Sequence, residues 1–386
     1  MNNDEAAGAA RRPRVAFISR AFGARFGGAE SYAERLLERL RHDFDIHVFC
    51  QAWECDLPIT HTIVPALRSG PRWLRLLHFT RQCAKAARDF DLVHSHENAG
   101  AADVHGVHVM PVRYSRYFHR RSLGRWLQTV TSPRWQAYLW LEKTRYRASG
   151  HRALVAASPL IRQQIQTAYP QARDVIVIPP GVRMPANPAT PAAARAALGL
   201  APEKTYLLLV ANSPVRKGYE TILQAMPALH EDVHLIVVGG PEDTARQTRQ
   251  LAGQAGLGPR VHVWPAQRDL NDFYSAADLF VFPTTGDAFG MVALEAMSYG
   301  VPAIMSGPRH CGFAEYVRNG IDALIVDDPR DAPALAGAVR RVLEDRDLRA
   351  RLADNARALA ARLGWDQVAE SYAALYRRLL GERRVA

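Results

Sequence analysis

The sequence predicts an α/β protein made of two doubly wound, Rossmann-like parallel-sheet domains that face a central cleft. Short apolar runs alternate with helical stretches along most of the 386 residues, and this alternation is typical of a parallel sheet covered by helices. The alternation stops at a proline-rich stretch and then starts again, which indicates a second domain. The cleft between two such domains is the expected ligand site.

The first domain is predicted over residues 14–182, after a disordered tail at 1–13. Four apolar runs predict strands at 14–19, 45–50, 61–65 and 91–96. Apolar residues at helical spacing predict that the first helix buries one face, formed by Tyr32, Leu36, Leu37 and Leu40. A second predicted helix, before the last of these strands, contains Leu74, Leu77 and Ala84.

The second domain is predicted over residues 183–364. Pro179, Pro180 and Gly181 end a strand abruptly, and a proline-rich linker follows. Further apolar runs predict strands at 205–212, 234–240, 260–265, 278–283 and 301–306. We expect the terminal helix, within 365–386, to pack back on the first domain through Val368, Tyr372, Leu375, Tyr376 and Leu379.

Bulk composition limits the function classes. The amino terminus has charges but no apolar stretch behind them, and no window reaches the ~18 apolar residues of a membrane span, so a cytoplasmic protein is expected. Four scattered cysteines favour buried or half-buried thiols over a disulfide framework or a zinc site. The net charge of +11 favours an anionic partner.

The most informative segment is TTGDAFGMVALEAMSYGVPAI, at 284–304, directly after a predicted strand. Asp287 and Glu295 are separated by seven residues. If a helix begins near Phe289, the backbone amides of Phe289-Gly290-Met291 form a seat for a diphosphate. Glu295 then reaches ribose hydroxyls and Asp287 lies at the sugar end. The alternative is that Asp287 is simply a helix cap.

Arg216 and Lys217 form a second constellation, in the turn after the strand at 205–212. Two cations in this position can grip a diphosphate. Lys217 is one of only four lysines among 49 basic residues, which favours a specific role. The alternative is a pair of solvated charges in a loop.

Two features of the first domain point to its half of the cleft. Gly27 and Gly28 precede the first helix and predict a tight turn with backbone access to a ligand. The stretch HSHENAGAADVHGVHVMPVR contains four histidines together with Asp103. Its spacing matches no standard metal site, so we interpret these histidines either as packed at strand ends or as facing a substrate.

The Asp-x7-Glu segment resembles the Glu-x7-Glu signature of family 4 retaining glycosyltransferases of the GT-B fold, with Asp at the first position. The resemblance implies that Arg216 and Lys217 stabilise the leaving diphosphate, so that no metal or other cofactor is required. It implies a loop near the donor phosphates at Gly27 and Gly28. It also implies that His108 faces the reacting sugar, with His105 and Asp103 as fallback catalytic candidates.

Further short matches, among them CQAWECDLP, SRYFHRR, IPPG and CGFAEYV, resemble bacterial lipopolysaccharide-core glucosyltransferases that act on heptose. In this resemblance Glu315 belongs to a glycine-and-glutamate loop of secondary importance, whose alternative is an ordinary strand-to-helix connection. The resemblance implies a UDP-sugar donor, a glycan or glycolipid acceptor and retention of configuration. It also implies a peripheral position on the inner face of the plasma membrane.

Residues 113–147 form a basic insertion with many aromatic side chains and one acid, Glu142. Its other charged residues are basic, among them Arg116, Arg120, Arg121, Arg125, Arg134, Lys143 and Arg145. Such a segment can contact an anionic membrane surface, bind single-stranded nucleic acid, or form a helical lobe with buried aromatics. We expect the insertion to contact an anionic membrane surface and not to bind nucleic acid.

Two rival functions stay open at this point. One is a nucleotide-sugar epimerase of the same fold, which acts without an acceptor. The other is a non-catalytic membrane-surface binding protein that releases no nucleotide diphosphate.

Overall fold

The computed structural model describes residues 11–23, 26–98, 100, 102–119, 122–146 and 152–385. These residues form two compact units, one from the described parts of 1–157, 161–178 and 366–386, the other from 158–160 and 179–365. Each unit is built on one parallel sheet, so the predicted α/β class with two Rossmann-like domains is confirmed. The predicted tail lies mainly outside the described residues.

The first sheet has seven strands, all parallel to their neighbours, in the order β5-β3-β1-β6-β7-β8-β9. A separate pair is formed by β2 and β4. The strands are β1 Arg14–Ile18, β2 Ala21–Phe22, β3 Asp45–Cys50, β4 Ala52–Trp53, β5 Thr60–Ile63, β6 Leu92–Ser95, β7 Val104–Val107, β8 Ala153–Ala156 and β9 Val175–Val177.

The second sheet has six parallel strands in the order β12-β11-β10-β13-β14-β15. They are β10 Thr205–Val210, β11 Val233–Val238, β12 Val261–Trp264, β13 Leu279–Phe282, β14 Ala303–Ser306 and β15 Leu324–Val326. Its central strands are buried along their whole length, as expected for a parallel sheet with helices on both faces.

Helices connect the strands. They are α1 Gly28–Leu40, α2 Arg72–Ala86, α3 Val112–Tyr117, α4 Leu123–Thr131, α5 Pro133–Arg145, α6 Pro159–Ala168, α7 Pro191–Ala197, α8 Tyr219–Ala225, α9 Glu242–Gln254, α10 Asn271–Ala276, α11 Met291–Ser298, α12 Ala332–Glu344, α13 Arg346–Arg362 and α14 Trp365–Val385. Across the described residues, no helix combines the length and the apolar character that crossing a membrane requires.

Two helices of the first unit show how far periodicity predicts burial. The predicted face of α1 is confirmed, because Tyr32, Leu36, Leu37 and Leu40 are all buried. For α2 the sequence indicated the apolar residues Leu74, Leu77 and Ala84 but no buried face. The buried residues of α2 are Leu76, Phe79, Thr80 and Cys83, whereas Leu74 is 37% exposed. Short aliphatic residues recur on two faces of this helix, and the larger phenylalanine is the one that reaches the core.

The last helix, α14, contributes two buried tyrosines to the first unit. The Tyr376 hydroxyl shares a hydrogen bond of 2.5 Å with His94 Nδ1, and the Tyr32 hydroxyl donates to the Tyr372 hydroxyl at 3.1 Å. Both tyrosines are 0% exposed. The five apolar positions predicted to be buried on this helix are buried, so α14 is part of the core beneath β6.

Replacing Tyr376 by alanine is expected to lower the free energy of unfolding of the first unit by about 3–5 kcal/mol, because a fully buried aromatic ring is removed and a cavity is left. The measurement is urea unfolding followed by circular dichroism. Arg378→Ala is the matched control, since Arg378 is exposed on the same helix. Equal midpoints for the two variants would show that α14 is not part of this core.

Candidate functional site

At the carboxyl edge of the second sheet, two predicted site residues meet. Lys217 follows β10 and Asp287 follows β13, and these strands are hydrogen-bonded neighbours. The Lys217 ammonium forms an ion pair with Asp287 Oδ2, and the two side chains are only 12% and 21% exposed. The sheet order therefore brings together a cation and a carboxylate that lie 70 residues apart in the chain.

Backbone hydrogen bonds fix the Asp287 loop. The Asp287 amide donates to the His310 carbonyl at 2.7 Å, and the Gly312 amide donates to the Asp287 carbonyl at 3.2 Å. The second carboxylate oxygen, Oδ1, accepts from the Phe289 amide at 3.2 Å. Asp287 Oδ1 is thus bound within its own loop, and Asp287 Oδ2 pairs with Lys217.

Two glycines permit these turns. Gly218, after Lys217, has φ +91°, and a side chain there would overlap the Pro283 carbonyl. Gly290 has φ +104°, and a Cβ would lie 2.7 Å from Cys311 Sγ. Both positions need the left-handed conformation that glycine adopts readily. The structure therefore gives Gly290 a packing role beside Cys311, in addition to the ligand approach expected from the sequence.

The helix after this loop begins at Met291, two residues later than expected. The Phe289 amide is already used by Asp287, and the Phe289 side chain is buried, with its ring centroid 5.4 Å from that of Phe313. Three residues were predicted to offer their amides to a diphosphate. The amide of one of them, Phe289, instead anchors the loop by donating to Asp287. The helix start at Gly290 and Met291 has no side-chain cap, so its first amides point outward from the helix.

Glu295 lies on α11 and is oriented by a residue that the sequence did not indicate. The Tyr274 hydroxyl donates to Glu295 Oε2 at 2.7 Å. Burial, reinforced by the neighbouring Glu295 carboxylate, raises the pKa of Tyr274 well above its usual value, so the phenol keeps its proton and remains a donor. This partner could not be read from spacing, because Tyr274 comes from α10.

Arg216 and Glu315 lie at the surface of the second unit. The Arg216 carbonyl accepts from the Thr285 amide and from the Thr285 hydroxyl, both at 3.1 Å, which ties the Arg216 turn to the Asp287 loop. The Arg216 guanidinium is exposed and forms no ion pair within the described part of the chain. Glu315 is exposed in a short 3-10 helix, Gly312–Tyr316.

In the first unit, His108 lies at the carboxyl edge of β7, beside His96 at the end of β6. Their Nε2 atoms are 3.4 Å apart, and the His108 ring centroid lies 4.4 Å from that of Tyr32. Burial, followed by the charge of Arg145, lowers the pKa of His108 to about 3. His108 is consequently a neutral imidazole at physiological pH.

Arg145 is a second residue that the sequence analysis did not assign to the site. Its guanidinium is 1% exposed and donates to the Gly106 carbonyl and to Asn98 Oδ1. Such a buried cation stabilises neutral forms of the histidines around it. From the sequence, Arg145 is only one of the basic residues of the insertion.

The two fallback candidates do not accompany His108. Asp103 precedes β7 at the opposite edge of the sheet, roughly 16 Å away along the strand. Its carboxylate accepts from the Val93 amide at 2.7 Å and pairs with Arg383 on α14. His105 points into the core and is 0% exposed. Asp103 therefore lies away from the edge of the sheet that carries His108, and His105 is turned into the core.

Gly27 and Gly28 lie where the first helix begins. Gly27 precedes α1, and its carbonyl accepts from the Ser31 amide at 2.9 Å. No side chain caps this helix start, so its first amides are exposed beyond β1. Two residues of the same turn, 24 and 25, lie outside the described residues.

Among the residues that the structure describes, no group of three or more histidine, cysteine or acidic side chains could hold a metal ion. The cysteines are Cys50, Cys83 and Cys311, which are buried, and Cys55, which is half-buried, as predicted.

Comparison with known proteins identifies the family. The family model described as Glycosyltransferase Family 4 matches residues 26–184, and the model described as Glycosyl transferases group 1 matches residues 192–359. A curated relative from Nocardioides sp., named D-inositol 3-phosphate glycosyltransferase, is 30% identical over 79% of this chain and 71% of its own length. The chain belongs to the group 1, family 4 glycosyltransferases.

Other members of the family show how far the likeness extends. A D-inositol 3-phosphate glycosyltransferase from Xylanimonas cellulosilytica is 33% identical over 58% of this chain, and the match spans just over half, 56%, of that relative. The crystal structure of WaaG, a glycosyltransferase involved in lipopolysaccharide biosynthesis, has a TM-score of 0.82 at 22% identity, covering 94% of this chain and 99% of WaaG.

A complex of Anabaena Alr3699/HepE with UDP-glucose has a TM-score of 0.75 at 19% identity, covering 95% of this chain and all of that one. These structural likenesses establish the GT-B fold. The curated relatives are named for an inositol phosphate and not for heptose.

The buried histidines predict acid sensitivity of the first unit. Burial lowers the pKa of His105 well below its usual value, so only the unfolded chain takes up its proton as the pH falls below about 6.5. Stability is therefore highest above that pH and is lost as the pH falls.

Between pH 7 and pH 5, protonation of His105 in the unfolded chain is expected to cost the wild type about 2 kcal/mol of unfolding free energy. His105→Leu should therefore lose about 2 kcal/mol less than the wild type over this pH range. Urea unfolding at the two pH values measures this loss. His42→Leu, on the surface, serves as the control and should leave the loss unchanged. An unchanged loss in His105→Leu would show that His105 titrates equally in the folded and unfolded states.

Proposed function

We propose that this protein transfers a hexose from a UDP-sugar to a glycan or lipid-linked glycan acceptor, with retention of anomeric configuration. The proposed setting is the synthesis of lipopolysaccharide or another cell-envelope polysaccharide. The observation that carries the proposal is the group at the carboxyl edge of the second sheet. There, Lys217, Asp287 and Glu295 are held by their neighbours beside an uncapped helix start.

In this proposal, the diphosphate binds where positive charge is concentrated. Arg216 is an exposed guanidinium with no ion pair among the described residues, and Lys217 adds a second cation. The start of α11 adds the amides of an uncapped helix, which favour anions. Together these groups neutralise the departing diphosphate, so the proposed reaction uses no metal ion or other cofactor.

Glu295 and Asp287 are proposed to bind the two ends of the donor. Glu295 accepts from the ribose hydroxyls, and the 2.7 Å hydrogen bond from Tyr274 fixes its carboxylate for that purpose. Asp287 faces the sugar and, in the absence of the donor, neutralises Lys217. Because the side chain of Asp287 is shorter than that of glutamate, we expect it to affect which sugar is accepted.

His108 is proposed to position the substrate and not to act as a base. Its pKa of about 3 makes it a weak proton acceptor at neutral pH. The leaving phosphate is the proposed acceptor of the proton, and the neutral imidazole offers a polar contact to the reacting sugar.

The names of the relatives bear on the acceptor. The curated relatives are named for D-inositol 3-phosphate, whereas WaaG is described as involved in lipopolysaccharide biosynthesis. An inositol phosphate is therefore a second candidate acceptor beside a lipid-linked glycan.

Donor binding tests the proposal. At a concentration 100 times its dissociation constant, a UDP-sugar is expected to stabilise the wild type by about 2.7 kcal/mol, measured as a rise in Tm. Glu295→Ala should bind it at least ten-fold more weakly, because hydrogen bonds to a charged acceptor are lost. Glu344→Ala, an exposed acid at the end of α12, is the control. Absence of stabilisation by any nucleotide sugar would contradict the proposal.

The reaction product distinguishes the rival enzyme. An epimerase converts the nucleotide sugar without an acceptor, whereas the proposed transferase releases UDP only as sugar is transferred or hydrolysed. Proton NMR of the product also gives the anomeric configuration. An inverted product would contradict the proposed retention.

We further propose that α4 contacts an anionic membrane surface. Leu123, Trp126, Leu127 and Val130 recur at helical spacing on α4, and all four are exposed, by 41–81%. Basic side chains on the same lobe, Arg113 and Lys143, are exposed too, and its only acid, Glu142, is buried. Arg120 and Arg121 of the insertion lie outside the described residues. An apolar helix face beside exposed cations is typical of interfacial helices.

The double variant Trp126→Ser/Leu127→Ser is expected to reduce binding to phosphatidylglycerol vesicles at least ten-fold, because about two large apolar side chains no longer insert. Sedimentation with vesicles measures this. Gln128→Ser/Thr131→Ser changes polar residues of the same helix and should have little effect. If the wild type fails to sediment with anionic vesicles, this part of the proposal is wrong.

A further inference from the structure

A cavity in the first unit carries more positive charge than its neighbours neutralise. It has a volume of about 370 Å³, and its lining includes Arg20, Arg72, Arg134, Trp135 and Tyr138. A second cavity, of about 340 Å³, shares Arg72, Arg134 and Tyr138 with the first. The two cavities are therefore adjacent, and together they are called here the arginine groove.

The arginine groove lies at the edge of the sheet where ligands of doubly wound folds bind. Arg20 follows β1, and Asn98, which also lines the first cavity, follows β6. These strands are neighbours, and the order of the sheet reverses between them, since β3 lies on one side of β1 and β6 on the other. Such a switch point is the usual site of a ligand. His108 lies at this same edge.

The charges of the groove do not cancel. Arg20 is paired with Glu97, with Nε and Oε2 2.9 Å apart. The only carboxylate in the lining is Glu142, and it accepts from the Val112 amide, the Arg113 amide and the Tyr169 hydroxyl at 2.6–2.9 Å. Arg72 and Arg134 are exposed, and both lack a carboxylate partner within the described part of the chain. The single negative charge of Glu142 therefore offsets only one of their two positive charges.

Both unpaired arginines sit at the start of a helix, where a cation is unfavourable. Arg72 is the first residue of α2, and Arg134 is the second of α5. Neither helix has an acidic residue in its first turn or a side-chain cap. The positive ends of two helices and two guanidinium groups thus converge on one groove. A bound anion would offset the positive charge of both helix starts and of both guanidinium groups.

The aromatic wall of the groove is held rigidly. The buried guanidinium of Arg116 lies 4.4 Å from the Trp135 ring centroid, and the Trp135 and Tyr138 rings have centroids 6.2 Å apart. Aromatic walls beside a charged end suit a ligand that has a sugar ring and an anionic group.

We infer that the arginine groove binds a phosphoryl group carried by the acceptor, with Arg72 and Arg134 as its ligands. This rests on the proposed transferase function, and it specifies the acceptor as a phosphorylated sugar or polyol. Arginine binds phosphate through two parallel hydrogen bonds, which favours phosphate over a neutral group.

The test is isothermal titration with glucose 6-phosphate, inositol 1-phosphate and inorganic phosphate, each in saturating UDP so that the donor site is filled. Glucose and inositol are the unphosphorylated controls. The wild type should bind at least one phosphorylated probe at least ten-fold more tightly than its unphosphorylated form. Arg72→Ala and Arg134→Ala should each weaken that binding roughly ten-fold.

Two matched variants control for charge and folding. Arg81→Ala removes an exposed arginine of α2 that does not line the groove and should leave binding unchanged. Arg72→Lys/Arg134→Lys keeps the charge, preserves the helix starts and should bind with intermediate affinity. Failure of every phosphorylated probe to bind the wild type would overturn the inference, as would an equal loss in Arg81→Ala.

Vesicle binding separates the two sources of phosphate. If the groove serves the acceptor, Arg72→Ala/Arg134→Ala should sediment with phosphatidylglycerol vesicles as the wild type does. Loss of vesicle binding with unchanged binding of the soluble probes would assign the groove to lipid headgroups and overturn the inference. Donor stabilisation in these variants tests the transferase function separately, because that site belongs to the other unit.

Discussion

The ion pair between Lys217 and Asp287 is the interaction on which the proposed donor site depends. It exists because β10 and β13 are parallel neighbours, so that the loops after both strands leave the sheet at one edge. Glycines in the left-handed conformation follow each loop and permit the sharp turns into α8 and α11. A diphosphate that binds here must compete with Asp287 for the lysine. The proposal therefore couples donor binding to the release of the Asp287 carboxylate, which is proposed to hold the sugar.

In the first unit, by contrast with this ion pair, the histidines near the edge of the sheet are uncharged. These histidines are buried beside Arg145, and burial lowers the pKa of His94, His96, His105 and His108. They are consequently neutral. His94 packs against Tyr372 and Tyr376 of α14, whereas His96 and His108 lie beside Tyr32 of α1. The positive charge of this region is carried by arginines. Arg145 lies within the core, and Arg72 and Arg134 lie in the arginine groove. His108 thus offers a neutral polar surface at this edge of the sheet.

The sequence predicted the fold well because each apolar run is long enough to identify a buried strand. All nine predicted strands are present within a few residues. Strands β7 and β15 were not predicted, because His105 and Gly106 interrupt the apolar residues of β7 and because β15 has only three residues. The residues of the donor site could be named because they follow predicted strands. Their partners could not. Tyr274 reaches Glu295 from another helix, and Arg145 reaches Gly106 across 39 residues, so only the tertiary structure reveals them.

The most direct test of the account is the affinity for UDP without a sugar, measured by titration calorimetry in three proteins. Lys217→Ala should bind UDP at least ten-fold more weakly than the wild type, because a cation in contact with the diphosphate is lost. Asp287→Asn should bind UDP at least as tightly as the wild type, because Lys217 is released from its partner. Equal affinity in Lys217→Ala and the wild type would contradict the central claim that this lysine exchanges a carboxylate for the donor diphosphate.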